Sequence, residues 1–173
     1  STAVAIGKFA GLNAQGAQCV AVGYLAGQVS QNTFSVAVGV AAGCSAQGTL
    51  ATAVGPDAGK FAQGINATAL GYTAGYNAQG ANATAVGRLA GSNAQGAQSV
   101  AIGFAAAMVS QGDESVAVGH DAGSGSQGTQ AVAVGFQAGR ISQGDNSIAI
   151  GNEAGCNTQA DYATAVGYLA GCA

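Results

Sequence analysis

Small apolar and polar positions recur along this chain with a period of sixteen residues, far from the 3.6 of a helix. Glycine stands at 7, 23, 39, 55, 71, 87, 103, 119, 135, 151 and 167, without an insertion or deletion. Alanine stands two residues before each of these glycines, from Ala5 to Ala165, and three residues after each, from Ala10 to Ala170. A second glycine follows that second alanine in ten of eleven copies, and Ala107 replaces it once. The unit reads (Ser/Ala)-(Val/Thr)-Ala-(Val/Ile)-Gly-x-x-Ala-Gly-x-x-(Ala/Ser)-Gln-Gly-x-x.

Sixteen residues are too few for a helical repeat and too many for a heptad, but they suit one turn of a narrow coil with glycine corners. Segments such as Ser35-Val36-Ala37-Val38 alternate with period two, which is strand patterning, and Gly39 ends the run. The pattern therefore predicts an all-β fold, a parallel β-solenoid (β-roll) of eleven 16-residue rungs, as one domain over residues 1–173. Rungs stacked about 4.8 Å apart would make a rod about 50 Å long. Repeat sequence runs to both ends of the chain, so a segment of a longer fibre is expected.

Variation indicates which positions face outward. The pairs after the strand glycine include Lys8-Phe9, Pro56-Asp57, His120-Asp121 and Asn152-Glu153, a range no packed interior accepts. Pairs such as Lys60-Phe61, Arg140-Ile141 and Asp113-Glu114 vary as freely and are read as outer corners. The Ala10 and Ala14 columns stay small and are expected inside a thin core. The strand is restricted on both faces: Ala or Ser with Ala on one, branched residues on the other. The branched face comprises Val4, Ile6, Val20, Val22, Val36, Val38, Thr52, Val54, Thr68, Leu70, Thr84, Val86, Val100, Ile102, Val116, Val118, Val132, Val134, Ile148, Ile150, Thr164 and Val166. Lying outside the coil, it would form a continuous apolar strip, and it is the expected association face between copies.

A fourth column holds only glutamine: Gln15, Gln31, Gln47, Gln63, Gln79, Gln95, Gln111, Gln127, Gln143 and Gln159. A solvated corner would admit Asn, Ser or Lys somewhere in ten copies. A structural ladder is expected instead, each amide bonding its equivalent one rung up or the backbone of the turn.

The string Ser99-Val100-Ala101-Ile102-Gly103 followed by x-x-Ala resembles the head-domain repeat of trimeric autotransporter adhesins, and similar repeats occur in phage and large-virus fibre proteins. The resemblance covers the whole chain. It implies a left-handed parallel β-roll with three chains side by side, displayed at a bacterial or virion surface. The second half of the unit, Ala-Gly-x-x-(Ala/Ser)-Gln-Gly, departs from the usual shorter and variable adhesin repeats.

Composition narrows the partners. Only 6% of residues are charged, against roughly 25% in an average soluble domain. Four bases and seven acids occur without a run of Lys or Arg, so no nucleic-acid partner is expected. No apolar stretch is long enough to cross a bilayer as a helix, and no membrane insertion is expected.

Candidate chemistry is sparse. His120 with Asp121 is the one His-acid neighbour pair, on a variable corner with Ser124 nearby in sequence. Asp57, Asp121 and Glu153 share a column but stand four and two rungs apart, about 19 and about 10 Å, too far for one cation. No catalytic residue, cofactor or metal is expected, and the chain is not read as an enzyme. Cys44, Cys156 and Cys172 share a corner column, and Cys156 and Cys172 stand on adjacent rungs, at a spacing a disulfide bridges; free thiols are the alternative. Cys19 replaces a Ser or Ala on the strand and reads as a small buried thiol. Asn66-Ala67-Thr68 and Asn82-Ala83-Thr84 are formal glycosylation sequons arising from the repeat. Tyr24, Tyr72, Phe104, Phe136 and Tyr168 recur in one outer column, suited to shielding rung edges or to stacking on sugars.

The expected function is a structural or adhesive surface fibre module, a rigid oligomeric rod that is extracellular, at a cell or virion surface. Its partners would be copies of itself, as a homotrimer or an end-to-end filament, and a host surface protein or glycan. The alternative is an ice-binding solenoid using the flat Val/Thr/Ile face. A near-continuous threonine row would mark that activity, yet threonine occupies the first column of the face only at 52, 68, 84 and 164.

Overall fold

In the computed structural model, which describes residues 2–172, the chain coils through 21 short strands in two parallel sheets, with no helix. The first, here the valine sheet, has eleven strands, from Val4–Ile6 to Thr164–Val166. The second, the glutamine sheet, has ten, from Asn13–Gln15 to Thr158–Gln159. Each strand pairs with its equivalent in the neighbouring rungs, sixteen residues away, as in Val100↔Val116 and Gln111↔Gln127. The architecture is the all-β parallel solenoid that the repeat predicts.

Inter-rung backbone bonds tie every turn to the next, for example Val116 N–H to Ala131 O at 2.9 Å and Gly119 N–H to Ile102 O at 2.9 Å. The interior is an alanine column: Ala21, Ala37, Ala53 and their equivalents up to Ala149 from the valine sheet meet Ala26, Ala42, Ala58 and theirs up to Ala154, all at 0% exposure, while the equivalents in the two end rungs are less covered. Opposed backbones approach so closely that a larger side chain has no room. Corner glycines make the same point. Gly119 has φ +134°, and a Cβ placed there would collide with the carbonyl oxygen of Gly135 in the next rung. A side chain would therefore push two rungs apart.

The expectation for the Ala14 column is corrected. Ala14, Ser30, Ala46, Ala62, Ala78, Ala94 and Ser110 are exposed, and all have left-handed φ between 48° and 58°. Their small size answers a backbone requirement, since a Cβ in the left-handed region crowds the following carbonyl. Ser126, Ser142 and Thr158, the last three members of the column, are not among the left-handed residues and lie in shorter, two-residue strands.

Candidate functional site

With the interior filled, the surfaces available for function are the outer faces of the two sheets and the corners between them. On the valine sheet the outward residues of most inner rungs are half-buried by their equivalents above and below, while those of the end rungs are exposed. The longer ones stand out further, with Leu70, Ile102 and Ile150 at 46%, 40% and 40% exposure. The strip runs unbroken from Val4 and Ile6 to Thr164 and Val166.

Its long edges differ. Along one, Phe34, Leu50 and Ile65 are exposed in successive rungs and widen the apolar surface. Along the other, side chains stack on one another. The Phe104 and His120 rings are 4.9 Å apart at 23°, His120 and Phe136 are 5.3 Å apart at 26°, and the Arg88 guanidinium lies 5.3 Å from Phe104 and 5.8 Å from Tyr72. Tyr72, Arg88, Phe104, His120 and Phe136 thus form one continuous column. Neighbouring rungs occupy the ring faces, so the column offers mainly ring edges to solvent, which favours the shielding role over sugar stacking. His120 is one layer of this stack, with its Nδ1 3.3 Å from Asp121 Oδ2.

The glutamine sheet presents a column of Ala and Ser flanked on one side by a glycine column and on the other by the variable first strand residues, among them the exposed Val29, Phe61 and Val109. Between the Ala/Ser and glycine columns lies a shallow open groove of about 440 Å³ lined by Ala94, Ser110, Ser126, Gly128, Thr129 and Asp145. The glutamines themselves point inward: Gln31 and Gln47 are at 0% exposure and Gln63 to Gln159 at 7% or less. Each Nε2 crosses the lumen to a carbonyl of the valine sheet, as Gln47 does to Val36 O at 2.7 Å and Gln95 to Thr84 O at 2.8 Å. Several reach a second carbonyl four residues on, such as Gln127 to Ala131 O at 3.1 Å. Three also reach the next glutamine: Gln15 to Gln31, Gln63 to Gln79 and Gln111 to Gln127, at 3.2 to 3.3 Å. The main partner is therefore the opposite sheet, and the axial amide contact is secondary.

Cys156 and Cys172 are joined by a disulfide, with Cα atoms 5.1 Å apart, linking two adjacent rungs. Cys19 and Cys44 are buried free thiols; Cys19 Sγ donates to Asn32 O at 2.8 Å. Among the described residues, no group of three or more His, Cys, Asp or Glu side chains is placed to hold a metal ion. Asn66 and Asn82, the sequon asparagines, are exposed and bonded to each other, Nδ2 to Oδ1, at 3.1 Å.

Two features were not anticipated from the sequence. Aspartates at the start of a rung cap backbone N–H groups of the previous rung: Asp113 Oδ1 accepts from Ala97 N at 2.7 Å, Asp145 Oδ1 from Thr129 N at 2.8 Å and Asp161 Oδ1 from Asp145 N at 2.9 Å. The charges are also segregated along the rod. Residues up to 100 carry three bases and one acid, whereas residues beyond 100 carry one base and six acids. The order of charges along the sequence is the signal that reveals this once each rung is given an axial position.

This geometry, an alanine-filled coil of strands ending in glycine with an outward branched strip, is matched by a known repeat. The YadA head domain repeat, in two copies, matches residues 62–90, 78–106, 110–138 and 141–154, which together cover just over half of the chain. The chain belongs to the YadA head domain repeat family. The matched stretches span the valine strands from Thr68–Leu70 to Ile148–Ile150, so the family's repeat coincides with the rungs that carry the aromatic column and most of the acids. No curated protein matches the chain.

Proposed function

We propose that the chain is a stiff structural module of an adhesin-type surface fibre, whose copies associate side by side through the outer face of the valine sheet. The observation that carries this reading is the unbroken apolar strip, constrained in sequence although it lies outside the coil and does not fill the core. Membership of a head-repeat family of trimeric surface adhesins supports three parallel chains, a left-handed coil and display at a cell or virion surface. In this reading the glutamine column is the internal spine of the rod and the Cys156–Cys172 bond staples two rungs. The variable corners are left for recognising a host protein or glycan, and no catalytic step is assigned.

The molar mass in solution, measured by light scattering, tests the reading. A trimer is expected, and Val116→Asp with Val132→Asp should dissociate it while leaving the circular dichroism of the rod intact. A monomer at all concentrations would overturn the association, and thermal hysteresis in that monomer would favour the ice-binding alternative.

A further inference from the structure

We infer that side-by-side association of copies is gated by counter-cations at one end of the rod; the inference rests on the parallel, in-register arrangement proposed above. Counting rungs from the one that holds Gly7, all six carboxylates beyond residue 100 lie in rungs eight to eleven. They rim both long edges of the association face. Asp113 and Glu114 stand just before the strand Val116–Val118, Asp145 before Ile148–Ile150 and Asp161 before Thr164–Val166. Asp121 and Glu153 follow the first two of these strands on the opposite edge.

Among the described residues no Lys or Arg side chain is paired with them. Among the described residues the ion pairs are Lys60–Asp57 at 2.9 Å, in the other half of the rod, and His120–Asp121 at 3.3 Å, which carries charge on the histidine only when it is protonated. Arg140, the one base of this half, donates to Gln137 Oε1 instead. The caps on Ala97, Thr129 and Asp145 use one oxygen of each aspartate and hold its charge at the surface. In the first rungs the sign is reversed, because Lys60 is matched by Asp57 while Lys8 and Arg88 have no carboxylate partner among the described residues.

Parallel copies in register place acidic rungs against acidic rungs, so the apolar strip is opposed by repulsion concentrated over about 15 Å of its length. At 0.01 M salt the screening length of about 30 Å spans this whole segment, whereas at 1 M it shrinks to about 3 Å, less than one rung. Salt therefore removes the repulsion and leaves the apolar contact in place. An antiparallel arrangement would set basic rungs beside acidic ones, and salt would then weaken it. The sign of the salt response reports the orientation of the copies.

The experiment is sedimentation equilibrium of the full chain between 0.01 M and 1 M sodium chloride. A charge-neutral variant carrying Asp113→Asn, Glu114→Gln, Asp121→Asn, Asp145→Asn, Glu153→Gln and Asp161→Asn is measured in parallel; asparagine keeps the capping oxygen. The expected result is that the wild-type dissociation constant falls roughly tenfold or more as salt rises, and that the variant associates at low salt as tightly as wild type does at high salt. Oligomers with a flat salt response, association that weakens with salt, or a slope the variant retains would each overturn the inference. Monomers of both proteins at every salt concentration would instead remove the association reading itself. If the variant does not fold, the wild-type salt series decides, and the single substitution Asp57→Asn should leave its slope unchanged.

Discussion

The valine and glutamine sheets, of eleven and ten strands, have the same parallel register and share the same alanine lumen, yet their outer faces are built on different principles. In the valine sheet all three residues of each strand pair with the next rung, as in Val116↔Val132, Ala117↔Ala133 and Val118↔Val134, and the outer residues are branched. In the three-residue strands of the glutamine sheet only the first and last residues pair, as in Asn77↔Asn93 and Gln79↔Gln95. In most rungs the residue between them turns outward in the left-handed region. Regular extended backbone favours β-branched side chains, whereas a left-handed residue disfavours them. One sheet consequently acquires a uniform branched exterior suited to association, and the other has a variable exterior, small at its middle column, while its glutamines brace the interior.

The comparison is broken most severely at the corner that ends each valine strand. Gly119→Ala forces a Cβ against the backbone of the next rung, and a loss of about 3 kcal/mol or more is expected in urea unfolding. Removing the Cys156–Cys172 link by paired serine substitution frees a closed loop of sixteen residues and should cost about 3 kcal/mol, measured against the oxidised protein. Gln95→Ala removes the cross-lumen bond to Thr84 O and leaves a buried carbonyl without its amide. A cost of about 2 kcal/mol is expected, while Thr84→Val on the outer face of the opposite sheet should shift stability by less than about 0.5 kcal/mol.

Smaller changes sharpen the contrast. Ala94→Gly relieves a left-handed φ of 52° and should raise stability by about 0.5 kcal/mol; the same substitution at Ala101, inside a regular valine strand, should lower it. The least effect is expected at the surface pair of Lys60 and Asp57. The hydrogen bond to Asp57 holds the Lys60 ammonium above its ordinary 10.5, against the opposing effect of burial. A raised lysine stabilises the fold fully below 10.5 and loses that contribution as pH rises through the folded value. A few tenths of a kcal/mol should therefore disappear in alkaline melts of wild type, and not in Asp57→Asn.

The repeat made most of the fold legible because every rung repeats the same solution, so a column of identical residues exposes a constraint that one copy would hide. Glycine at 119, alanine at 101 and 106, and glutamine at 95 could each be assigned a structural role before any coordinates. The Ala14 column was misread for a physical reason: a small side chain satisfies either a thin core or a left-handed backbone, and composition does not separate the two. The aromatic column showed the same ambiguity, since recurrence placed Tyr72, Phe104 and Phe136 outside but did not show that Arg88 and His120 complete their stack.

The sequence by itself determined the period, the pairing of each rung with its neighbours and the inward place of the alanines on either side of the strand glycine, because these depend on spacing and on side-chain size. Tertiary structure alone decided where the glutamine amides end, which oxygens cap the rungs, and that the strip and the carboxylates share the same edges. Those relations join residues across the lumen or between rungs, where direction as well as distance along the chain decides contact. Only the coiled chain supplies that direction.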